Sequence, residues 1–352
     1  MKRWLVAIGW VLLCTAPASA QERPELLSRF GGLDAQTLFG VKAVAERSDR
    51  LAVLTEPAPA VHIFAGDDYA AFGREGEGPA ELGSPAGLAW PDSSLVVLDA
   101  RHSKLVSFAS DGTFLGARTV RAPHVLRLHV VGSDTVLGTA VPMTRARAVI
   151  RLRGERQDTL LAYEQQGERI RLEASGAPSY TIYPPFSAQT VWTVLADGTF
   201  AVWHPGGAEI ELRTMEGAAV GPIPYVGSSW PVPDADREAW FDETFTRAEF
   251  MGRRIFRPLL PVARERVGFP DEFSPVMALE PDPSGGVWIQ KTGPAEGEVW
   301  VLVGRDGGER GTIRLPSGRE LLHVGERGIA ALARDELEVE RVELYDRPEW
   351  AR

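Results

Sequence analysis

Asparagine is absent from the 352-residue sequence, and cysteine occurs once, as Cys14. A single thiol excludes intramolecular disulfides and cysteine-ligated metal clusters, and its position near the N-terminus argues against thiol catalysis. Asparagine side chains are common neutral oxygen ligands of hard cations in proteins. Without them, a cation site in this chain would depend on carboxylates and backbone carbonyls. Lysine is scarce as well, because 34 of the 38 basic residues are arginine.

Long apolar runs are also missing, except at the N-terminus. Lys2 and Arg3 precede ten apolar residues, 4–13, and an Ala-x-Ala pattern then ends at Ala20. This order predicts a secretory signal peptide over residues 1–20, with cleavage near Ala20. Ten apolar residues are about half of the ~20 needed to span a bilayer, so no membrane span is expected. A lipoprotein signal at Cys14 is the alternative, although the preceding residue is a large leucine.

The negative net charge of the chain limits the kinds of partner that we expect it to bind. The formal net charge is -10, and loss of Lys2 and Arg3 with the signal peptide changes it to -12. An acidic exported protein is a poor match for nucleic acids or anionic membrane surfaces. We therefore expect a monomer in the periplasm or outside the cell, with no nucleic-acid partner.

The sequence repeats at an interval of about 44 residues. Segments 51–67 and 95–111 each contain two short apolar strands, a polar turn between them and a closing Gly or Asp turn. Each unit is too small to bury its own hydrophobic faces, so neighbouring units have to stack. All-strand repeats of roughly 40–50 residues predict the blades of a β-propeller.

Six such units can be counted, which predicts an all-β, six-bladed β-propeller formed as a single domain by residues 21–352. Ring closure is expected to combine a strand near one terminus with a blade made from the other, which protects exposed strand edges. The units begin near residues 51, 95, 134, 197, 285 and 327.

The strand pattern is interrupted between the fourth and fifth units, where residues 234–266 have a helical composition. Asp234 is expected to cap the first helix, and Phe241 and Phe245 fall on one face together with residues 248 and 252. The insertion is interpreted as a clamp on the propeller rim. The alternative is a lid or docking surface, for which the aromatic candidates are Trp230, Trp240 and Phe250.

A glycine-rich loop, 73–79, joins the first two units. It contains Arg74, Glu75 and Glu77, which we take as ligand-binding candidates, although an internal ion pair within a structural turn is the favoured interpretation. Phosphate-binding loops of similar composition lead into a helix, whereas this loop leads into a strand. A nucleotide site is therefore not expected.

Several segments resemble an exported bacterial six-bladed β-propeller family related to NHL-repeat proteins. They are residues 73–79, 92–99, 108–114, 286–288, 300–307 and 335–342. The likeness extends over most of the chain after residue 20. It implies the fold and export but no settled activity. The aspartate at the strand end is kept at Asp99 but is replaced at positions 55, 204 and 290, so these positions are not expected to form a shared site.

For function, the sequence favours an exported, non-catalytic scaffold that recognises a peptide, glycan or protein at one mouth of the propeller. No catalytic residue, metal ligand or cofactor is predicted, because the six histidines are scattered over the units without a metal-binding spacing. The alternative is a metal-dependent, lactonase-like hydrolase with its site in the central channel. Three or more carboxylates converging in the channel would favour the hydrolase, whereas an apolar or arginine-lined channel would oppose it.

Overall fold

The protein is seen in a computed structural model that describes residues 21–32, 36–56, 60–122, 124–140, 144–247 and 254–352. These residues form six four-stranded antiparallel sheets and one two-stranded sheet. The predicted six-bladed propeller is thus confirmed, as is the helical insertion between blades four and five. The expected signal peptide, 1–20, lies outside the described residues. No helix in the described part of the chain is long and apolar enough to cross a bilayer.

Each blade is a short meander in which the first strand lies at the channel and the last at the outer rim. Strand β1 belongs to the last blade, blade six. The strands are β1 (Leu26–Phe30); β2 to β5 of blade one (Val41–Arg47, Arg50–Thr55, Ala60–Ala65, Asp68–Phe72); β6 to β9 of blade two (Pro85–Ala89, Ser94–Asp99, Lys104–Ala109, Phe114–Thr119); β10 to β13 of blade three (Val125–Val131, Asp134–Ala140, Ala146–Arg153, Arg156–Glu164); β14 and β15 (Ile170–Leu172, Tyr180–Ile182); β16 to β19 of blade four (Val191–Val194, Phe200–Trp203, Glu209–Arg213, Ala219–Pro224); β20 to β23 of blade five (Leu279–Pro281, Val287–Gln290, Val299–Val303, Glu309–Arg314); and β24 to β26 of blade six (Glu320–Val324, Ile329–Arg334, Glu340–Tyr345).

The ring closes through the N-terminal strand. Strand β1 pairs antiparallel with β26 and supplies the outer strand of blade six, so the sheet order is β1-β26-β25-β24. Three strands from the C-terminus and one from the N-terminus thus share one blade, as the sequence predicts. This pairing covers the edge of β26, which would otherwise present unpaired backbone groups to solvent.

Six hydrophobic clusters hold the ring together, one at each interface between adjacent blades. Apolar side chains on one face of a blade meet those of the next, and the sixth cluster joins blade six to blade one through residues such as Leu51 and Leu344. Each blade buries its two faces only against its neighbours. This explains why the repeats cannot fold singly.

The insertion has a hydrophobic core of its own. It comprises α1 (Asp234–Phe241), a π-helical segment (Asp242–Arg247), a 3-10 turn (Arg257–Leu259) and α2 (Leu260–Arg266). These segments pack on the hairpin β14–β15 from the connection between blades three and four, and Phe245 and Leu259 are fully buried between them. We call this unit the cap.

The sequence did not predict the hairpin, and it misplaced the start of α1. The helix begins at Asp234 itself, its N-cap is Pro233, and no side chain caps its first turn. Asp234 instead forms an ion pair with Arg237, at 3.5 Å, so its predicted capping role is wrong. Phe241 and Phe245, which the sequence places on one face, are both buried in the cap core, whereas residues 248 and 252 lie outside the described residues.

All six inner strands run in the same direction, because every blade starts at the channel and ends at the rim. The connections between blades therefore lie at one face of the ring, which carries the cap, and the turns that follow the inner strands lie at the opposite face. We call these the cap face and the turn face. Arg247 of the cap forms ion pairs with Asp242 and with Glu338, which lies between β25 and β26 of blade six. The cap thus extends across its face from blade four to blade six.

Candidate functional site

The central channel contains a cavity of about 390 Å³. It is bounded by the inner strands of blades one, two, three, five and six. Small-molecule sites occupy cavities of this order, roughly 300–1,000 Å³. Its polar and aromatic lining residues are Lys42, Glu46, Trp90, Arg127, His129, Glu280 and His323.

Local irregularities in the inner strands help to form this cavity. Strands β2, β6, β10 and β24 each shift register against the second strand of their blade, at Lys42, Ala86, Leu126 and Leu322 respectively. Three of these positions line the cavity: Lys42, Ala86 and Leu322. An extra residue bends a strand and redirects its side chains, so the bulges set which groups face the lumen.

Arg127 spans blades three, four and five. Its guanidinium donates to the carbonyl oxygens of Trp192 and Leu279, both at 3.0 Å, and to Glu280 Oε1 at 2.5 Å. It also lies over the Trp192 ring, 5.4 Å from the ring centroid. Burial raises the pKa of Glu280, and the charge of Arg127 opposes that shift. Arg127 and Glu280 therefore form an ion pair on the channel wall in which each charge compensates the other.

Three polar atoms around the lumen are buried and have no hydrogen-bond partner among the described residues. They are Glu46 Oε2, Trp90 Nε1 and His129 Nε2. They lie at a similar depth, since Glu46 is one residue before the end of β2, His129 two residues before the end of β10, and Trp90 directly after β6. Buried polar groups in proteins are nearly always paired, and each unpaired one costs about 1–3 kcal/mol. All three residues belong to the lining of the cavity, and the unpaired atoms themselves are shielded from solvent by their neighbours.

Both lumen histidines are held in the neutral state near neutral pH. Burial lowers the pKa of His323 to about 4. Burial also lowers the pKa of His129, and the charges of Arg127 and His323 add to that effect. A neutral imidazole can donate from one nitrogen and accept at the other.

Glu46 is the third titratable group at this level of the channel. Its Oε1 accepts the backbone N–H of Arg327, at 3.1 Å, from the turn after β24. Burial raises the pKa of Glu46, and backbone hydrogen bonds from Arg327 and Glu326 oppose the shift. Glu46 is therefore held through Oε1, whereas Oε2 is buried beside Gly325 without a hydrogen-bond partner among the described residues.

The glycine-rich loop is a structural turn. Arg74, Glu75 and Glu77 are all exposed at the connection between blades one and two. The acid that pairs with Arg74 is Glu81, at 2.7 Å, rather than a residue within the loop. Glu81 also accepts the backbone N–H of Gly78, and Lys104 binds the carbonyl oxygens of Gly78 and Glu81 at 2.8 and 2.7 Å.

The structure places the aromatic candidates of the insertion in different surroundings. Trp240 packs edge-on against Phe241, Phe245 and Phe269 and is half-buried in the cap core. Trp230 is also half-buried, and Arg314 lies 6.0 Å from its ring centroid. Phe250 lies outside the described residues. Arg74 and Trp240 occupy connections three blades apart, so the structure does not bring the two predicted groups into one site.

Of the acids Asp99, Glu280 and Asp282, only Glu280 lines the channel cavity. Asp99 is buried and accepts the backbone N–H groups of Gly83 and Ser84 and the His102 ring. Asp282 is buried as well and accepts from Trp288 and Arg347, both at 2.8 Å. These two aspartates stabilise turns and blade contacts.

The sequence analysis did not single out the lumen residues as a site. Arg127 and Glu280 are 153 residues apart and meet only because the ring closes. The usable signal was weak: His129 is a polar residue between two apolar ones, Leu128 and Val130, in strand β10. Such positions are candidates for channel-facing groups once the inner strand of each blade is known.

No protein-family model matches the chain, and no curated protein matches it. Solved structures do share its fold. A protein from Bacteroides fragilis that is named as exported is 12% identical, with 94% of this chain and 98% of that chain covered and a TM-score of 0.51. A member of the DUF4221 family from Bacteroides vulgatus is also 12% identical, with 92% and 98% covered and a TM-score of 0.51. The expected likeness to exported bacterial propellers is confirmed at the level of the fold.

Proposed function

We propose that this protein is an exported, non-catalytic binding propeller that takes a small polar ligand, or the terminal unit of a glycan, peptide or protein, into its central channel. One observation carries the proposal: the channel holds a cavity of about 390 Å³ whose lining brings charged, polar and aromatic side chains together from five of the six blades.

Entry at the turn face fits the position of these groups. Glu46, Trp90 and His129 all lie near the ends of the inner strands, on the side away from the cap. The cap core and its ion pair with blade six support the interpretation of the cap as a clamp. The competing location for a binding site is the cap face. The docking candidates that the sequence places there are Arg74, Glu75, Glu77, Trp230, Trp240 and Phe250.

The lining of the cavity supports binding rather than catalysis. It contains no Ser, Thr, Cys or Tyr among the described residues, so the common side-chain nucleophiles with hydroxyl or thiol groups are absent from it. Glu280 is held by Arg127 and is not free to act as a base. For the metal-dependent alternative, no group of three or more histidine, aspartate or glutamate side chains in the described residues is arranged to hold a metal ion.

A thermal-shift screen tests the proposal. Protein recovered from an exporting bacterial host is melted with panels of neutral sugars, acidic sugars and short peptides, each at millimolar concentration. A ligand at 100 times its dissociation constant adds about 2.7 kcal/mol of stability, which is several degrees in melting temperature. Val130→Phe, which places a larger side chain in the cavity lining, should abolish the shift.

Val220→Phe is the matched control, because Val220 is exposed on the outer strand β19. It should retain the full shift. Both variants are first checked for a single cooperative melt, and Ala86→Leu, which also adds bulk to the cavity lining, replaces Val130→Phe if the latter does not fold. A shift that survives the channel substitution would place the ligand elsewhere and overturn the proposal.

A further inference from the structure

We propose that Gln21, once it is the N-terminal residue, cyclises to pyroglutamate on the surface of blade five, assisted by the guanidinium of Arg314. This inference concerns a covalent modification and does not depend on the proposed channel ligand. It depends on the predicted cleavage after Ala20, which leaves Gln21 as the first residue of the exported chain. The observation that carries it is the hydrogen bond from Arg314 Nε to Gln21 Oε1, at 2.8 Å.

The residue that follows Gln21 is fixed on the outer strand of blade five. The backbone N–H of Glu22 donates to the carbonyl oxygen of Thr312 at 3.0 Å, and the Glu22 carbonyl oxygen accepts the N–H of Arg314 at 2.9 Å. Glu22 thereby forms a parallel bridge with Ile313 of β23. Chain termini are usually poorly ordered unless they are tied down in this way. The new N-terminus is therefore expected to keep a defined place beside Arg314.

The C-terminal segment supplies a second anchor for this position. Trp350 Nε1 donates to Glu22 Oε2 at 2.7 Å. The Trp350 ring packs against Gly311 of β23, where a Cβ atom would collide with it, and lies 5.8 Å from the Trp288 ring. Glu22 is thus held through both its backbone and its side chain.

The cyclisation joins two atoms of one residue. The α-nitrogen of Gln21 attacks Cδ of the same side chain and forms the C–N bond of a five-membered lactam. The side-chain nitrogen leaves as ammonia and takes up one proton from the amine, so no oxidant or co-substrate is needed. A free α-amino group has a pKa of about 7.7–8.0, which leaves part of it neutral and nucleophilic at pH 7. Attack within one residue also avoids the entropic cost of bringing two molecules together.

Arg314 is placed to lower the barrier of this step. Negative charge develops on Oε1 of Gln21 as the α-nitrogen adds to Cδ, and a guanidinium is a permanently protonated donor for that oxygen. Arg314 is itself oriented, because Nη1 donates to the carbonyl oxygens of Glu296 and Gly297 at 3.3 and 3.2 Å. The lactam retains the oxygen that Arg314 binds. The reaction also removes the positive α-ammonium charge from the residue that contacts the guanidinium.

Mass spectrometry of the exported protein tests the modification. The full chain, including residues 1–20, is produced in an exporting bacterial host and incubated at neutral pH. We expect a chain that begins at residue 21 and is lighter than the glutamine form by the mass of one ammonia. Its N-terminus should resist stepwise sequencing until pyroglutamyl aminopeptidase is added. A chain that begins elsewhere, or one that keeps an intact Gln21 after prolonged incubation, overturns the inference.

The rate of cyclisation tests the role of Arg314. Residues 21–352 are released from an N-terminal fusion by a protease that leaves Gln21 first, and the loss of ammonia is followed over time. Arg314→Gln should slow the reaction roughly three- to tenfold, the effect of one lost hydrogen bond. Arg310→Gln is the matched control, because Arg310 lies on the same strand but pairs with Asp306, and it should leave the rate unchanged.

The wild-type chain unfolded in urea provides a second measurement that does not depend on the folding of a variant. Unfolding separates Gln21 from Arg314, so the rate should fall to that of Arg314→Gln. Equal rates in the folded and unfolded wild-type chain would overturn the assignment of Arg314, as would an unchanged rate in a folded Arg314→Gln variant.

Discussion

At the scale of single residues, the buried histidines of the channel make the stability of the folded protein depend on pH. Burial lowers the pKa of His323 to about 4, below the value of about 6.5 of an exposed histidine. The unfolded chain therefore binds a proton more readily than the folded one between these two values. Stability is complete above about pH 6.5 and is lost as the pH falls towards 4.

We predict that the free energy of unfolding decreases between pH 6.5 and 4 by up to roughly 3 kcal/mol from His323 alone. The titratable and charged groups near it in the lumen are Glu46, Arg127, His129 and Glu280. His323→Phe should flatten the curve in that interval, measured by urea unfolding at pH 7 and 4.5. An equal pH dependence in the variant would contradict the assignment.

Glu343 is the second residue whose surroundings decide stability. It is 1% exposed and accepts hydrogen bonds from Arg29, Arg319, Arg341 and the hydroxyl of Tyr345. Burial raises its pKa, but the hydrogen bonds from Arg319 and Tyr345 outweigh burial and the net shift is downward. Because Arg29 lies on β1, the carboxylate also helps to hold the closing strand.

Glu343→Gln should destabilise the protein by roughly 2 kcal/mol at pH 7, since it removes the charge that the surrounding arginines neutralise. Glu211→Gln is the matched control, because Glu211 pairs with Arg213 at an exposed position and such pairs contribute about 0–1 kcal/mol. Urea unfolding of both variants measures the difference. Equal effects would show that the buried cluster has no special role.

At the scale of elements, β1 decides whether the ring is closed. Phe30 is half-buried, and its ring lies 5.0 Å from that of Phe64 in blade one. Phe30→Ala should cost roughly 2 kcal/mol, less than a fully buried phenylalanine. Leu27→Ala on the same strand is the control, because Leu27 is 48% exposed and should change stability by less than about 0.5 kcal/mol.

We expect the cap to unfold locally as a cooperative unit, separately from the blades. Phe245→Ala removes a fully buried ring from the cap core and should increase amide hydrogen exchange in residues 234–247 and in the hairpin β14–β15. The affinity of the channel ligand should stay the same, because the cap does not line the cavity. Loss of that affinity would instead support the cap as part of the binding site.

The elements differ in how far the sequence specifies them. Blade strands were predictable because alternating apolar residues and Gly or Asp turns repeat in each unit, and Phe241 and Phe245 were predictable from their four-residue spacing. The hairpin β14–β15 was missed because strands of three residues, such as Ile170–Leu172, have no clear period. The lumen was missed for another reason: its groups come from different blades and meet only after ring closure.

At the scale of the whole molecule, the described residues contain no suitable set of metal ligands, and we therefore predict that divalent cations leave stability unchanged. Melting in a chelator and then in calcium, magnesium, manganese or zinc should give midpoints within about 1 °C of each other, since binding at 100 times the dissociation constant would add about 2.7 kcal/mol. A shift of several degrees with one cation would revive the metal-dependent hydrolase.

The most direct test of the central claim is a crystal structure of the protein with the ligand that gives the largest thermal shift. The account predicts ordered density for that ligand in the channel, with at least one of its polar atoms within about 3.2 Å of a polar side chain of the cavity lining. Ligand density at the cap face, near Trp230 or the Arg74 loop, with none in the channel, would contradict it.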